Sequence, residues 1–199
     1  MRKYTKADLD NFNRIDNYII CPSGDYSEIR EFRVNNGMLY TFDCCCIFAD
    51  ETVFCGGFHF GNYCRFGNNC YFGMNSRFGD NCTFGQNCLF GGHSNFSKKC
   101  KFGNYCQFCS ECIFWILCEF GEMCVCESNN IFYDAVFNQD CKFYNHNRFY
   151  GNIKFGEGCK FGNLNEFGDN VVFGRKCKIG KHNQLSFGAW LTYHFPAIA

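Results

Sequence analysis

Phe60-Gly61-Asn62-Tyr63-Cys64-Arg65 followed by Phe66-Gly67-Asn68-Asn69-Cys70-Tyr71 writes one six-residue unit twice, and most of the chain continues it. Phe stands at 42 and at every sixth residue to 120. Cys126 and Phe132 take the next two slots, the interval shortens once to five residues, and the count resumes at Phe137. It runs through Phe173, with Ile179 and Leu185 closing it, so that 22 of 25 slots are Phe. Numbered 1 to 6 from the Phe, position 2 is usually Gly and position 5 is small, most often Cys. A helix asks for apolar spacing near 3.6 and a flat strand for alternation, so a strict period of six suits neither alone. Short strands joined by tight corners do suit it. Position 5 and the next position 1 point inward with position 6 outward between them, and positions 3 and 4 turn the corner. Gly and Asn gather there (Asn62, Asn69, Asn75, Asn81, Asn87), where a left-handed backbone is expected. One such unit cannot bury its apolar face, but stacked coils can.

The pattern resembles the hexapeptide repeat of left-handed parallel β-helices, in which three units make one 18-residue triangular coil. Phe here takes the place of the usual Leu, Ile or Val. The resemblance covers about 145 of the 199 residues and implies an all-β solenoid of about eight coils. At a strand spacing of roughly 4.8 Å that is a rod about 40 Å long. Its left-handed winding is a family exception to the right-handed crossover rule. Met1-Arg2-Lys3-Tyr4-Thr5-Lys6-Ala7-Asp8 through Glu31-Phe32, with the Cys-x-Phe-Gly array, resembles Cys- and Phe-rich hexapeptide-repeat proteins of gut bacteria and their tailed phages. That likeness implies a phage or prophage source and supplies no activity.

The chain divides into a cap over 1–41, the β-helix over 42–186 and an aromatic tail over 187–199. In the cap, Thr5 with Asp8 reads as a capping box opening a helix over about 5–16. Ile29 to Val34 and Met38 to Phe42 flank Asn35-Asn36-Gly37 and read as a hairpin. Nineteen basic and nineteen acidic residues cancel, which argues against a duplex-DNA partner. The longest apolar run, Cys112 to Cys118, is too short to span a bilayer, and the N-terminal residues are polar, so the expected location is the cytoplasm of a bacterial host cell. Thirteen of nineteen Cys occupy the inward position 5, where Thr52, Ser76, Ser94, Asn147 and Val171 stand elsewhere, so they read as small core fillers with free thiols.

Between 109 and 150 the repeat changes character. Position 2 now holds Cys109, Trp115, Glu127, Tyr133, Asn138, Tyr144 and Tyr150, with Gly121 the exception, and the five-residue unit Phe132 to Val136 lies inside this belt. Hexapeptide acyltransferases use a His general base in a cleft between subunits. His59, His93, His146 and His182 fall on outward or corner positions and His194 lies in the tail, so no catalytic residue is assigned. Cys106, Cys109 and Cys112 have zinc-like spacing, yet the period points 106 and 112 inward and 109 outward; no metal or other cofactor is expected.

Two outward ladders remain. Lys142, Lys160 and Lys178 recur every 18 residues at position 6 with Tyr144 beside the first, either as a solvated ladder or as a seat for an anionic small molecule or nucleotide. Ile113 and Trp115, Ile131 and Tyr133, Arg148 and Tyr150 form a patch bounded by Asn95 and Ser97 before it and Glu166 and Gly168 after it. Large, mostly apolar side chains on a flat β surface mark a contact, unless the cap or the tail folds over them. The expectation is a non-catalytic binding protein, a phage accessory factor that captures a host protein, a small ligand or a second copy as homodimer or homotrimer. A hexapeptide acyltransferase using coenzyme A and a sponge for nucleotide signals are the alternatives. The repeat does not choose among them, because scaffolds host unrelated activities.

Overall fold

The computed structural model describes residues 1–33 and 39–186, with the backbone of Trp190–Leu191. Most units yield a short strand ending at the Phe, as in Arg65–Phe66, Tyr71–Phe72 and Arg77–Phe78, followed by a corner. Every third strand pairs in parallel: Thr83 lies opposite Arg65 and Lys101, and Phe84 opposite Phe66 and Phe102. Residues 18 apart therefore stack, and the chain winds into a three-sided parallel β-solenoid. Face one has eleven strands and runs through Phe42, Phe60 and onward to Leu185; faces two and three have nine each, starting from Phe48 and Phe32.

About nine turns result rather than eight, because residues on both sides of the hexads join the coil. At the N-terminus, α1 (Lys6–Leu9) starts at Thr5, whose N–H donates to Asp8 Oδ2 at 2.7 Å. It is one turn long instead of spanning 5–16, since the chain bends after Asp10 into β1 (Arg14–Ile15), which pairs antiparallel with β2 (Tyr18–Cys21). The runs that flank Asn35-Asn36-Gly37 do not pair with each other. β3 (Glu31–Arg33) lies on face three against Val53–Cys55, while β4 (Leu39–Phe42) lies on face one between β2 and His59–Phe60. The rings explain the choice: Phe32 stacks on Phe54 at 5.1 Å and Phe42 on Phe60 at 5.2 Å, contacts that a hairpin would forfeit. The expected turn itself lies outside the described residues. At the other end Trp190–Leu191 adds a strand to face two beside Val171–Phe173, and the rest of the expected tail is likewise outside the described residues.

Three columns of Phe fill the interior. Within a column the rings stack, as Phe96 on Phe114 at 4.7 Å and 0° between planes; between columns they meet edge to face, as Phe96 and Phe102 at 5.1 Å and 84°. Strand spacing imposes the first arrangement and the ring quadrupole favours the second. Cys126 interrupts the third column, fully buried, and the unit Phe132 to Val136 just after it is the short one, so that Val125 pairs with Lys142, 17 residues on. A smaller core residue thus goes with a shorter coil.

Position 5 forms three interior columns with distinct chemistry. Cys46 to Cys118 line the corner after face one, and Cys70 to Cys177 the corner after face two. Their thiols donate to the carbonyl of the position-2 residue one coil earlier, as Cys82 to Gly61 at 3.3 Å and Cys106 to Gly85 at 3.4 Å. Cys is therefore more than a filler: it satisfies a carbonyl that the strand ladder leaves over. The corner after face three is polar. There Ser76 and Ser94 donate to Gly73 and Gly91, and Asn130, Asn147, Asn165 and Asn183 each accept the backbone N–H of the position-5 residue one coil earlier.

The corner itself is made at position 4, where Asn69, Asn75, Asn81 and Asn87 have φ between 56° and 62°. Asn62, expected to share that conformation, stands at position 3 and acts through its side chain, whose Oδ1 accepts the Asp80 N–H at 2.7 Å. Gly at position 2 answers to space. A Cβ on Gly103 would lie 2.7 Å from the carbonyl carbon of Gly85 in the coil below. Among the described residues no helix is long and apolar enough to cross a membrane.

Candidate interaction surface

The belt from 109 to 150 breaks the position-2 rule, and face one responds by lengthening its strands. Ile131–Tyr133 and Arg148–Tyr150 pair over three residues, with Tyr133 opposite Tyr150. The alternation of a strand then turns Tyr133 outward beside Ile131, and Tyr150 beside Arg148. The corner follows one residue early, at Asp134 (φ 45°) and Gly151 (φ 78°). Trp115, one coil before, stacks on Tyr133 at 5.2 Å and 15°, and Tyr133 on Tyr150 at 5.6 Å and 30°.

These rings form a ridge along the rod. Their faces are turned to one another, so the ridge shows solvent mainly ring edges, and its inner faces cannot serve as platforms for a sugar or a base. Ile113, Ile131 and Arg148 run beside it in register. Trp115 is 45 % exposed, so no described segment covers the ridge. Arg148 Nε lies 3.3 Å from Glu166 Oε2, and the Tyr150 hydroxyl donates to the same oxygen at 3.4 Å. Burial and that carboxylate both push the Tyr150 phenol above its ordinary range. The patch is thus apolar with its cation neutralised at one end.

Reading the hexads missed part of this surface. Ile116 and Leu117 occupy corner positions 3 and 4, where Asn and polar residues are usual; Leu117 is 52 % exposed with φ 64°, a conformation unfavourable for a bulky side chain. Their signal was the apolar run Cys112 to Cys118, which bears on the surface because only 112, 114 and 118 point inward.

Lys142, Lys160 and Lys178 pair in register on face three, all exposed. Elsewhere cross-coil cations meet carboxylates, as Lys101 with Glu119 at 2.9 Å and Lys176 with Glu157 at 2.7 Å. The three ladder lysines form no such pair among the described residues. Tyr144 does not extend the ladder. It lines a cleft of about 290 Å3 with Cys109, Glu127, Leu89, Gln107 and Val125, on face three beside the corner that leads into face one.

The groups that could carry chemistry are dispersed. His93 pairs with Glu111 at 3.1 Å, and His146 and His182 sit on exposed corners with left-handed backbone. Cys106 and Cys112 are buried at different corners while Cys109 is half-buried; among the described residues no cluster of His, Cys, Asp or Glu could hold a metal ion. Burial pushes the Cys112 thiol up to about 12 and the Cys126 thiol well above the ordinary range, which leaves both inert as nucleophiles. No family model matches the chain, and neither a curated protein nor a solved structure matches it.

Proposed function

We propose that the chain is a non-catalytic interaction protein that docks through the Trp115–Tyr133–Tyr150 ridge. The observation that carries this reading is an aromatic run stacked across three coils, uncovered by any described segment and flanked by Ile113, Ile131 and Leu117, whereas the exposed apolar residues at other described corners, such as Tyr63, Tyr105 and Leu164, are not joined to a stacked run of this kind. Apolar surface of this extent is costly to leave in water, and Trp, Tyr and Arg are favoured where interfaces concentrate their energy. The left-handed sense, the role as phage accessory factor and the bacterial cytosol belong to the same proposal, supported by the hexad resemblance. Trp115→Ala with Tyr133→Ala is expected to lower stability by only about 1 kcal/mol, the worth of an exposed aromatic pair. Light scattering and partner capture should then show a changed assembly mass or a lost complex. A double variant that assembles and captures like the parent, or one that unfolds, overturns the reading.

A second reading has its own support. Residues 142–186 carry eight Lys or Arg against three Asp or Glu, whereas 1–141 carry eleven against sixteen, so a neutral chain is a polar rod. Lys142, Lys160 and Lys178, without an ion pair among the described residues, lie in its positive part, which suits a multiply charged anion such as a nucleotide.

A further inference from the structure

Resting on the reading of the ridge as the contact surface, we propose that its partner is a second copy of this chain, packed antiparallel about a two-fold axis through Tyr133. Such an axis, perpendicular to the rod, reverses the order of coils. A coil placed some number of steps before Tyr133 then faces the coil placed as many steps after it in the other copy.

The corner is complementary to itself under that operation. One coil out, Trp115, Ile116 and Leu117 meet Tyr150, Gly151 and Asn152 of the second copy, bulk against a corner where Gly151 has no side chain. Two coils out, Lys98 and Lys99 meet Asp169. The spacing is equal on both sides, since Asn95–Phe96 and Glu166–Phe167 are each two strands from Ile131–Tyr133 in one sheet. Lys98 and Lys99 are exposed, and neither forms an ion pair among the described residues. Asp169 is exposed too, with one oxygen, Oδ1, accepting the Ser186 hydroxyl at 2.6 Å. Glu166 on the same coil is already engaged by Arg148.

Charge also decides against parallel arrangements. Parallel copies, in a dimer or a trimer, would set Lys98 and Lys99 against their own images and Asp169 against Asp169. In the antiparallel pair the like charges nearest the axis are the two copies of Asp134. That side chain is held to its corner by the Asn152 N–H at 2.7 Å and Asn152 Nδ2 at 2.9 Å.

The test is a charge swap. The parent should have the mass of a dimer, and Lys98→Glu with Lys99→Glu, or Asp169→Lys alone, should each weaken self-association by about tenfold or more. Mixing the two variants should restore it, because both inter-copy contacts are then opposite in charge. A zero-length carbodiimide cross-link between Lys98 or Lys99 and Asp169 gives a second readout. Within one chain these residues are four coils, roughly 19 Å, apart, so the linked peptide can only join two copies. A monomeric parent, or a dimer with neither rescue on mixing nor that cross-link, overturns the antiparallel pairing. If Trp115→Ala with Tyr133→Ala still dissociates such a dimer, the ridge reading survives and only the pairing falls. A dimer that keeps its affinity in that double variant sinks both.

Discussion

Phe84→Ala tests the core most directly. Phe84 stacks between Phe66 at 4.8 Å and Phe102 at 4.9 Å, and meets Phe78 and Phe90 edge-on at 5.0 Å each. Removing a buried ring of this kind costs its transfer energy plus the cavity it leaves, about 3–5 kcal/mol. The upper part of that range applies here, because two stacked and two edge-on partners each forfeit a contact worth about 0.5–1.5 kcal/mol, and strands paired at fixed spacing cannot collapse into the gap. Thr83 precedes it on the same strand, points outward between Arg65 and Lys101, and its change to Ala should cost about 0.5 kcal/mol or less. In urea, with a slope of about 2 kcal/mol per molar, the Phe84 variant should unfold roughly 2 M earlier than the Thr83 variant. Equal midpoints would refute the inward assignment of position 1, and with it the account of the solenoid as a Phe-stacked core.

Two further outcomes follow from the thiol columns. Because burial raises the Cys112 thiol to about 12, above an unfolded value near 9, the folded state keeps its proton where the unfolded state loses it. Stability should be intact below about pH 9 and fall as pH rises from there toward 12, by about 1.4 kcal/mol per pH unit for each such thiol. Denaturation midpoints measured under reductant at pH 7, 9 and 10 check this, and a flat profile would show that the columns are hydrated. Thiol counting should find all nineteen Cys free after unfolding without reductant. In the native state only Cys44, Cys45, Cys55 and Cys109 should react promptly, since the other fifteen are buried; rapid labelling of Cys82 or Cys106 would contradict the packing described.

What the amino-acid sequence determined by itself is the coil. A period of six with Phe, Gly and a small residue admits only short strands and corners, and it therefore placed the Phe columns, the inward Cys, the left-handed Asn corners, the Lys142–Lys160–Lys178 ladder and the alignment of Trp115 with Tyr133 and Tyr150. Position in a strict repeat is position in space, so local pattern carried long-range information. Outside the period that link breaks. The segments around Asn35-Asn36-Gly37 read as a hairpin by local turn chemistry, yet Phe32 and Phe42 join different faces because ring stacking between coils outweighs it. That Cys answers a carbonyl one coil below, that Arg148 is spent on Glu166, that Leu117 stands exposed beside the ridge, and that Lys98, Lys99 and Asp169 sit at equal distances from Tyr133 were decided only in three dimensions. Each depends on which residue of one coil lies over which residue of the next, and on whether a side chain at a corner finds a partner there or is left facing water.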